Sequence, residues 1–76
     1  MELTGQLSPE NWMRSVFACK AVQQGGIIRR KKRDIERYVG MDRFLKEVRF
    51  RGFRAAENAD HVIVFCNTAP FRWITT

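Results

Sequence analysis

Cations are the residues with the most evident chemistry in this 76-residue chain. Residues 29–54 contain eleven of the fourteen Lys and Arg residues but only four Asp or Glu, a local net charge of +7. The rest of the chain sums to −1, so the formal net charge of +6 arises in this one stretch. A concentrated positive field attracts polyanions and speeds their arrival, which makes nucleic acid the first partner to consider.

The densest part of this stretch is the run Arg29-Arg30-Lys31-Lys32-Arg33. Five adjacent cations cannot all be paired inside a small core, so we expect them to be solvated or to bind anions. They lead into a predicted helix, whose first N–H groups and dipole favour phosphate. A solubilising surface loop and a nuclear-import signal have the same composition and are the alternatives.

A second basic set lies on and after a later predicted helix. Arg43 is placed to reach a base edge, since arginine bonds guanine bidentately, and Lys46 to read guanine or hold phosphate. The cations that follow are expected to contact phosphate. The alternative is a surface charge, with Arg43 paired to Glu47 at i, i+4 spacing. The candidate nucleic-acid-binding residues are therefore Arg29, Arg30, Lys31, Lys32, Arg33, Arg43, Lys46, Arg49, Arg51 and Arg54.

Phenylalanines interleave with these cations at Phe44, Phe50 and Phe53. Exposed aromatic rings between arginines are typical of proteins that stack single-stranded nucleic acid. We expect most of these rings to be core residues instead, because the chain is small and its aromatic side chains supply much of its apolar volume.

The first element that must position these cations is a helix beginning at Ser8-Pro9-Glu10. The serine hydroxyl caps the first turn, proline gives up no hydrogen bond at N1, and glutamate lies at the positive end of the dipole. The spacing of Trp12, Val16 and Cys19 predicts a buried stripe that continues to about residue 24. Gly25-Gly26 then ends the helix.

Two further helices are predicted on either side of a glycine turn. Residues 27–30 form a short strand, and residues 32–39 form the second helix, which Gly40 ends. A third helix covers residues 42–51, with Asp42 as its N-cap or first-turn acid and with Leu45 and Val48 facing inward. Such a tight glycine turn sends the third helix across the second at a steep angle.

The C-terminal half predicts a β-hairpin. Residues 53–57 are a weak strand candidate, and residues 58–60 have good turn chemistry. Residues 61–66 form the clearest strand of the chain and are apolar on both faces, so this strand should be central in its sheet. Ile27-Ile28 is then available to pair along its other side.

These elements predict one α+β domain spanning residues 1–76, with three helices and a small antiparallel sheet. Over residues 9–66 the element order, with Ile35/Val39-Gly40-Met41 as the hinge, resembles the winged helix-turn-helix family of DNA-binding domains. The resemblance implies that residues 42–51 are the recognition helix, which enters the major groove. It also implies that the hairpin is the wing, which touches the backbone or the minor groove.

The resemblance implies a sequence-specific regulator of transcription that binds double-stranded DNA. A module of this size buries little surface, so we expect a homodimer on two half-sites. The tail, residues 67–76, is expected to dock on the core or to form the dimer contact. The alternatives are a protein-interaction module that uses the basic face or the apolar tail, and an RNA-binding protein.

Other classes of function have little support in the sequence. Cys19 and Cys66 lack Cys-x-x-Cys spacing and are expected to be reduced, buried thiols; one disulfide, or a metal held between subunits, is the alternative. The single His61 cannot build a metal site or a triad alone. We therefore expect no enzyme, cofactor, metal or small-molecule substrate.

The apolar run at residues 62–66 is too short to span a bilayer, so no membrane association is expected. Residues 1–5 lack the start of a signal peptide, which predicts a cytoplasmic location, at the nucleoid in a bacterium or in the nucleus of a eukaryote.

Overall fold

The computed structural model describes residues 8–70 and 72–75 and has an α+β architecture. Three longer helices lie on one face of a three-stranded antiparallel sheet, whose strand order is β1-β3-β2. The strands are β1 (Ile27–Lys31), β2 (Arg54–Asn58) and β3 (His61–Phe65). The expected fold class and the central position of the last strand are therefore confirmed.

The first helix differs from the prediction. A single helix to about residue 24 is wrong, because α1 ends at Phe17 and a separate turn of helix, α2, covers Lys20–Gln23. Cys19 between them is extended (φ −74°, ψ 163°) and redirects the chain. Gly26 thereby reaches the sheet, where its carbonyl accepts a hydrogen bond from the Cys66 N–H at 2.8 Å. Sheet pairing thus overrides local helix propensity at this point.

The start of α1 (Pro9–Phe17) is as predicted. The Ser8 Oγ accepts a hydrogen bond from the Asn11 N–H at 3.1 Å, and Pro9 occupies the first helical position. This cap satisfies an N–H group that has no partner within the helix. It stabilises the first turn of α1.

The two helices of the predicted hinge are α3 (Lys32–Tyr38) and α4 (Met41–Phe50). Gly40 between them has φ 87°, a conformation that residues with a Cβ rarely adopt, and it is the N-cap of α4. Asp42 accordingly lies in the first turn rather than at the cap. The helix–turn–helix pair and the antiparallel sheet are compatible with a winged-helix architecture.

The core lies where α1, α3 and α4 meet the sheet. Phe44, Ile35 and Val64 are completely buried there. The indole of Trp12 stacks on Tyr38 with ring centroids 5.3 Å apart, and Phe17 packs on Phe44 at 5.8 Å. Such aromatic pairs add geometric preference to simple burial of apolar area and fix α4 against α1.

The C-terminal tail leaves the sheet after the buried Cys66. Residues 72–75 form no helix or strand, and Trp73 and Ile74 are 79% and 90% exposed. Phe71, which belongs to the predicted docking segment, lies outside the described residues, as do residues 1–5 of the signal-peptide argument. No helix in the described stretches has the length and apolar character needed to cross a bilayer.

Candidate nucleic-acid interface

Helix α4 presents a basic face to solvent because its apolar residues recur on the opposite side. Phe44 and Val48 are 0% and 2% exposed and form the inner stripe. Leu45, predicted to face inward with Val48, is only half-buried. The helical period then turns Arg43, Lys46, Arg49 and Phe50 outward, and all four are exposed. The phenyl ring of Phe50 is 87% exposed, an uncommon position for so large an apolar group.

Arg43 is held by a residue that the sequence did not single out for this role. Its guanidinium donates a hydrogen bond to the carboxylate of Glu10 on α1 at 2.8 Å. That hydrogen bond lowers the pKa of Glu10 below its ordinary value. Both side chains are at least half exposed, and exposed pairs of this kind contribute little to stability. Arg43 can therefore exchange this carboxylate for a phosphate or a base at small cost.

Arg51 has a structural role. Its guanidinium donates to Glu47 at 2.7 Å and lies 4.5 Å above the ring of Phe17. A cation–π contact and an i, i+4 ion pair together orient this side chain. The alternative pair of Arg43 with Glu47 does not form, because Glu47 bonds Arg51 and Arg43 bonds Glu10.

An open groove of about 620 Å³ separates α1 from α4. Carbon atoms of Met13 and Phe50 line it beside cations from both helices and beside the paired carboxylates of Glu10 and Glu47. The groove is thus amphipathic, with its excess charge positive. It continues the exposed face of α4 toward the first helix.

The basic run Arg29–Arg33 is divided by the alternation of a β-strand. Arg29 and Lys31 lie opposite Ile63 and His61 of β3, on the outer face of the sheet. Arg30 lies opposite the buried Val62 on the inner face, and its guanidinium donates to its neighbour's carbonyl, that of Arg29, at 2.7 Å. Side chains of successive strand residues point to opposite faces, so the run cannot act as one surface.

The last two cations of the run begin α3 beside the β2–β3 turn. The ammonium of Lys32 donates to the Glu57 carboxylate at 2.5 Å, and this hydrogen bond lowers the pKa of Glu57. The backbone N–H of Lys32 donates to the carbonyl of Asp60 at 2.8 Å, so it is already satisfied within the protein. Arg33 is exposed in the first turn of the helix.

The ten candidate residues therefore occupy two sides of the molecule. The cations of residues 29–54 therefore do not share a single exposed surface. Arg54 lies opposite Phe65 on the outer face of the sheet, the face that carries Arg29 and Lys31, whereas α4 packs on the inner face. The period of two in strands is a signal in the sequence that predicts this division once β1 is recognised.

The aromatic residues between the cations divide in the same way. Phe44 is a core residue, Phe53 is half-buried, and only Phe50 is displayed. Cys19 and Cys66 are free thiols, as expected. Among residues 8–70 and 72–75, no three His, Cys, Asp or Glu side chains are grouped as metal ligands would be.

Comparisons of the chain with models of protein families, with curated proteins and with solved structures find no match. The arrangement of the described residues is consequently the basis for the proposals that follow.

Proposed function

We propose that the chain is a small sequence-specific DNA-binding protein, a regulator of transcription, in which α4 is the recognition helix of a winged helix-turn-helix. The observation that carries the proposal is the two-sided character of α4. Its inner stripe is locked into the core by Phe44 and Val48, while its outer face presents Arg43, Lys46 and Arg49. A rigid helix with a basic outer face fits the major groove of B-form DNA.

The contacts divide between base and backbone. Arg43 in the first turn of α4 is placed to bond a guanine edge bidentately. Lys46 and Arg49 form no ion pair with any residue in the described stretches, and their charges are free for phosphate or guanine. Lys32 and Arg33, beside the β2–β3 turn, contact phosphates of the DNA backbone. Such contacts fix the position of the protein along the duplex without reading its sequence.

We further propose that two copies act together on paired half-sites. One module with a single recognition helix buries too little surface for high specific affinity. A symmetric dimer doubles the contact and requires a near-palindromic site. Sedimentation velocity with and without duplex DNA tests this part of the proposal; a single chain bound to a single half-site at saturation would contradict it.

The central experiment is a salt titration of duplex binding. Selection from a random duplex library supplies the sequence, and fluorescence anisotropy supplies the affinity of the full chain at several salt concentrations. Replacing Lys46 and Arg49 together by alanine should weaken binding by about tenfold or more. It should also reduce the slope of log K against log salt by about 2, near 0.9 for each lost phosphate contact.

A matched control removes the same charge elsewhere. Lys20→Ala with Arg72→Ala also deletes two exposed cations, but these lie on α2 and the tail. The control should retain nearly all of the affinity. Equal losses in the two double variants would show that binding depends on net charge alone, and would contradict a recognition role for α4. Competition by single-stranded RNA that displaces the duplex at equal concentration would favour the RNA-binding alternative.

A second candidate function, a protein-interaction module, is favoured by Phe50 and the groove beside it. An 87% exposed phenyl ring next to Met13, with cations on both sides, suits an acidic partner that carries an apolar anchor. A pull-down from nuclease-treated lysate separates the two functions. A partner that survives nuclease and high salt, and is lost in Phe50→Ser, would support the second.

A further inference from the structure

The outer face of the three-stranded sheet is a second basic surface, distinct from α4. It consists of the side chains that β1, β2 and β3 point away from the helices. We call it the open face. Its members are Ile27, Arg29, Lys31, Arg54, Ala56, Asn58, His61, Ile63 and Phe65.

The register places apolar and charged groups in an ordered pattern on this face. Ile63 occupies the middle of the central strand, with Arg29 directly beside it on β1 and Ala56 on β2. Ile27 at one end is 57% exposed. The cations Arg29, Lys31 and Arg54 are all exposed and surround this apolar centre on both edge strands.

The charge of the open face is uncompensated, whereas the helix side holds both paired and unpaired cations. There, Arg43, Arg51 and Lys32 each pair with a carboxylate. Within the described residues, none of the three cations of the open face has such a partner, and no strand residue of the face is acidic. The nearest carboxylate in contact is that of Asp60 in the turn, 3.1 Å from the imidazole of His61 at the edge of the face.

We propose that the open face binds single-stranded DNA. Charge complementarity requires a polyanion, and the apolar centre requires a polyanion that also offers flat apolar groups. A duplex presents only phosphates and sugars to a flat sheet, whereas an unpaired strand presents phosphates to the edge cations and bases to the centre. A second copy of this chain is disfavoured, because a two-fold contact would bring one basic face against another.

We assign the unpaired strand to DNA, and binding of RNA is the competing outcome of the test below. Recognition of a ribose 2′-hydroxyl needs a hydrogen-bonding group near the sugar. Asn58 and His61 lie together at the turn end of the open face, and Ile63 and Ala56 occupy its centre.

The test compares two triple variants of the full chain that lose the same charge. One replaces Arg29, Lys31 and Arg54 by threonine, which keeps β-propensity on exposed strand positions. The other replaces Arg43, Lys46 and Arg49 by alanine. The probes are fluorescein-labelled oligothymidylate of about 15 nucleotides, within the range that single-strand-binding domains cover, its oligouridylate equivalent, and the duplex selected for the protein.

The open-face variant should bind oligothymidylate about tenfold or more weakly, with a salt slope smaller by about 2, since each single-strand phosphate contributes near 0.7. It should keep its affinity for duplex DNA. The α4 variant should keep its affinity for oligothymidylate and lose its affinity for the duplex. If the chain binds no duplex at all, the result for oligothymidylate still stands by itself, so failure of the proposed function and failure of this inference are separate outcomes.

Three results would overturn the inference. Equal losses of oligothymidylate binding in the two triple variants would indicate binding by net charge. Equal or tighter binding of oligouridylate would remove the assignment to DNA. A dimer that the open-face variant converts to a monomer would identify the face as a contact between copies.

A measurement on the unaltered protein keeps the test valid if a variant fails to fold. Backbone amide shifts are recorded while oligothymidylate is added. Changes concentrated in Ile27–Lys31, Arg54–Asn58 and His61–Phe65 would support the inference. Changes confined to Met41–Phe50 would refute it.

Discussion

At the scale of single residues, the structure separates cations that are displayed from cations that are used internally. Lys46 and Arg49 project from α4 into solvent, whereas Arg51 lies over Phe17 and is bonded to Glu47. The sequence makes these residues look alike, because each is a basic residue on or next to the same helix. Their roles differ because only Arg51 lies at the end of α4 beside the aromatic core of α1.

The pairing of Arg43 with Glu10 predicts that this acid restrains DNA binding. Glu10→Gln removes the competing carboxylate, so duplex affinity should rise by about 1.5-fold to fivefold, the size of an exposed ion pair. Glu36→Gln on the exposed side of α3 makes the same change in net charge and is the control. In an Arg43→Ala background, Glu10→Gln should have no more effect than the control. A gain that persists there would contradict a direct role for the pair.

Cys66 should be the less reactive of the two thiols. Burial, and then the neighbouring Cys19, raise the pKa of Cys66 above its ordinary value. Alkylation of the native protein with iodoacetamide at pH 8, followed by peptide mass spectrometry, should therefore label Cys66 only after denaturation. Labelling of native Cys66 at the rate of a free thiol peptide would contradict this.

The same pKa shift predicts the direction of a pH effect on stability. A thiol that ionises later in the folded protein than in the unfolded chain stabilises the fold below about pH 8.5 and loses that contribution as pH rises further. As pH rises above about 8.5, the free energy of unfolding should fall more steeply in the natural chain than in Cys66→Ala. Parallel curves for the two proteins would refute the assignment.

At the scale of elements, Gly40 determines how α4 is presented. Its φ of 87° and ψ of 143° lie in a region that L-residues avoid, and a Cβ there would meet nothing within 4 Å. The cost of Gly40→Ala is therefore conformational and should be about 1–3 kcal/mol in urea unfolding. A free energy of unfolding that is unchanged in Gly40→Ala would contradict this.

The hinge and the sheet were largely predictable, since their signals are local. The bounds of α3 and α4 agree with the prediction to within a residue, because glycine ends one helix and acidic and apolar periodicity begins the next. The break at Cys19 was not predictable, since no proline or glycine stands there. It follows from the need to carry Gly26 to Cys66, which a continuous helix would prevent.

At the scale of the whole molecule, like charges dominate. The net charge of +6 is opposed by only a few exposed ion pairs. Added salt should therefore stabilise the fold, because it weakens the repulsion between like charges more than it weakens these ion pairs. The melting temperature should rise by a few degrees between about 20 and 200 mM sodium chloride. In a domain of this size, a rise of that size corresponds to an increase of less than about 1 kcal/mol in the free energy of unfolding. A falling melting temperature would show that the ion pairs stabilise the fold by more than the repulsion destabilises it. The same titration with potassium fluoride is the control for specific binding of chloride.

The fold also divides one basic stretch between two surfaces. Residues 29–54 run through β1, α3, α4 and the start of β2. One face of the sheet packs against the helices, and the other is the open face. Successive residues of a strand point to opposite faces, so the odd or even position of a cation in its strand decides the face on which it lies. This is the physical basis for separating a duplex-binding helix face from a face for unpaired DNA.

The sequence by itself determined the element types, the glycine hinge, the central last strand and the sign of the charge, because capping, periodicity and composition act over a few residues. Only the tertiary structure decided which cations share a surface and which carboxylates hold them. Glu10 and Arg43, or Lys32 and Glu57, are far apart in the chain and meet only when the helices and the hairpin pack together. Contacts of that kind depend on the whole fold, and no local pattern encodes them.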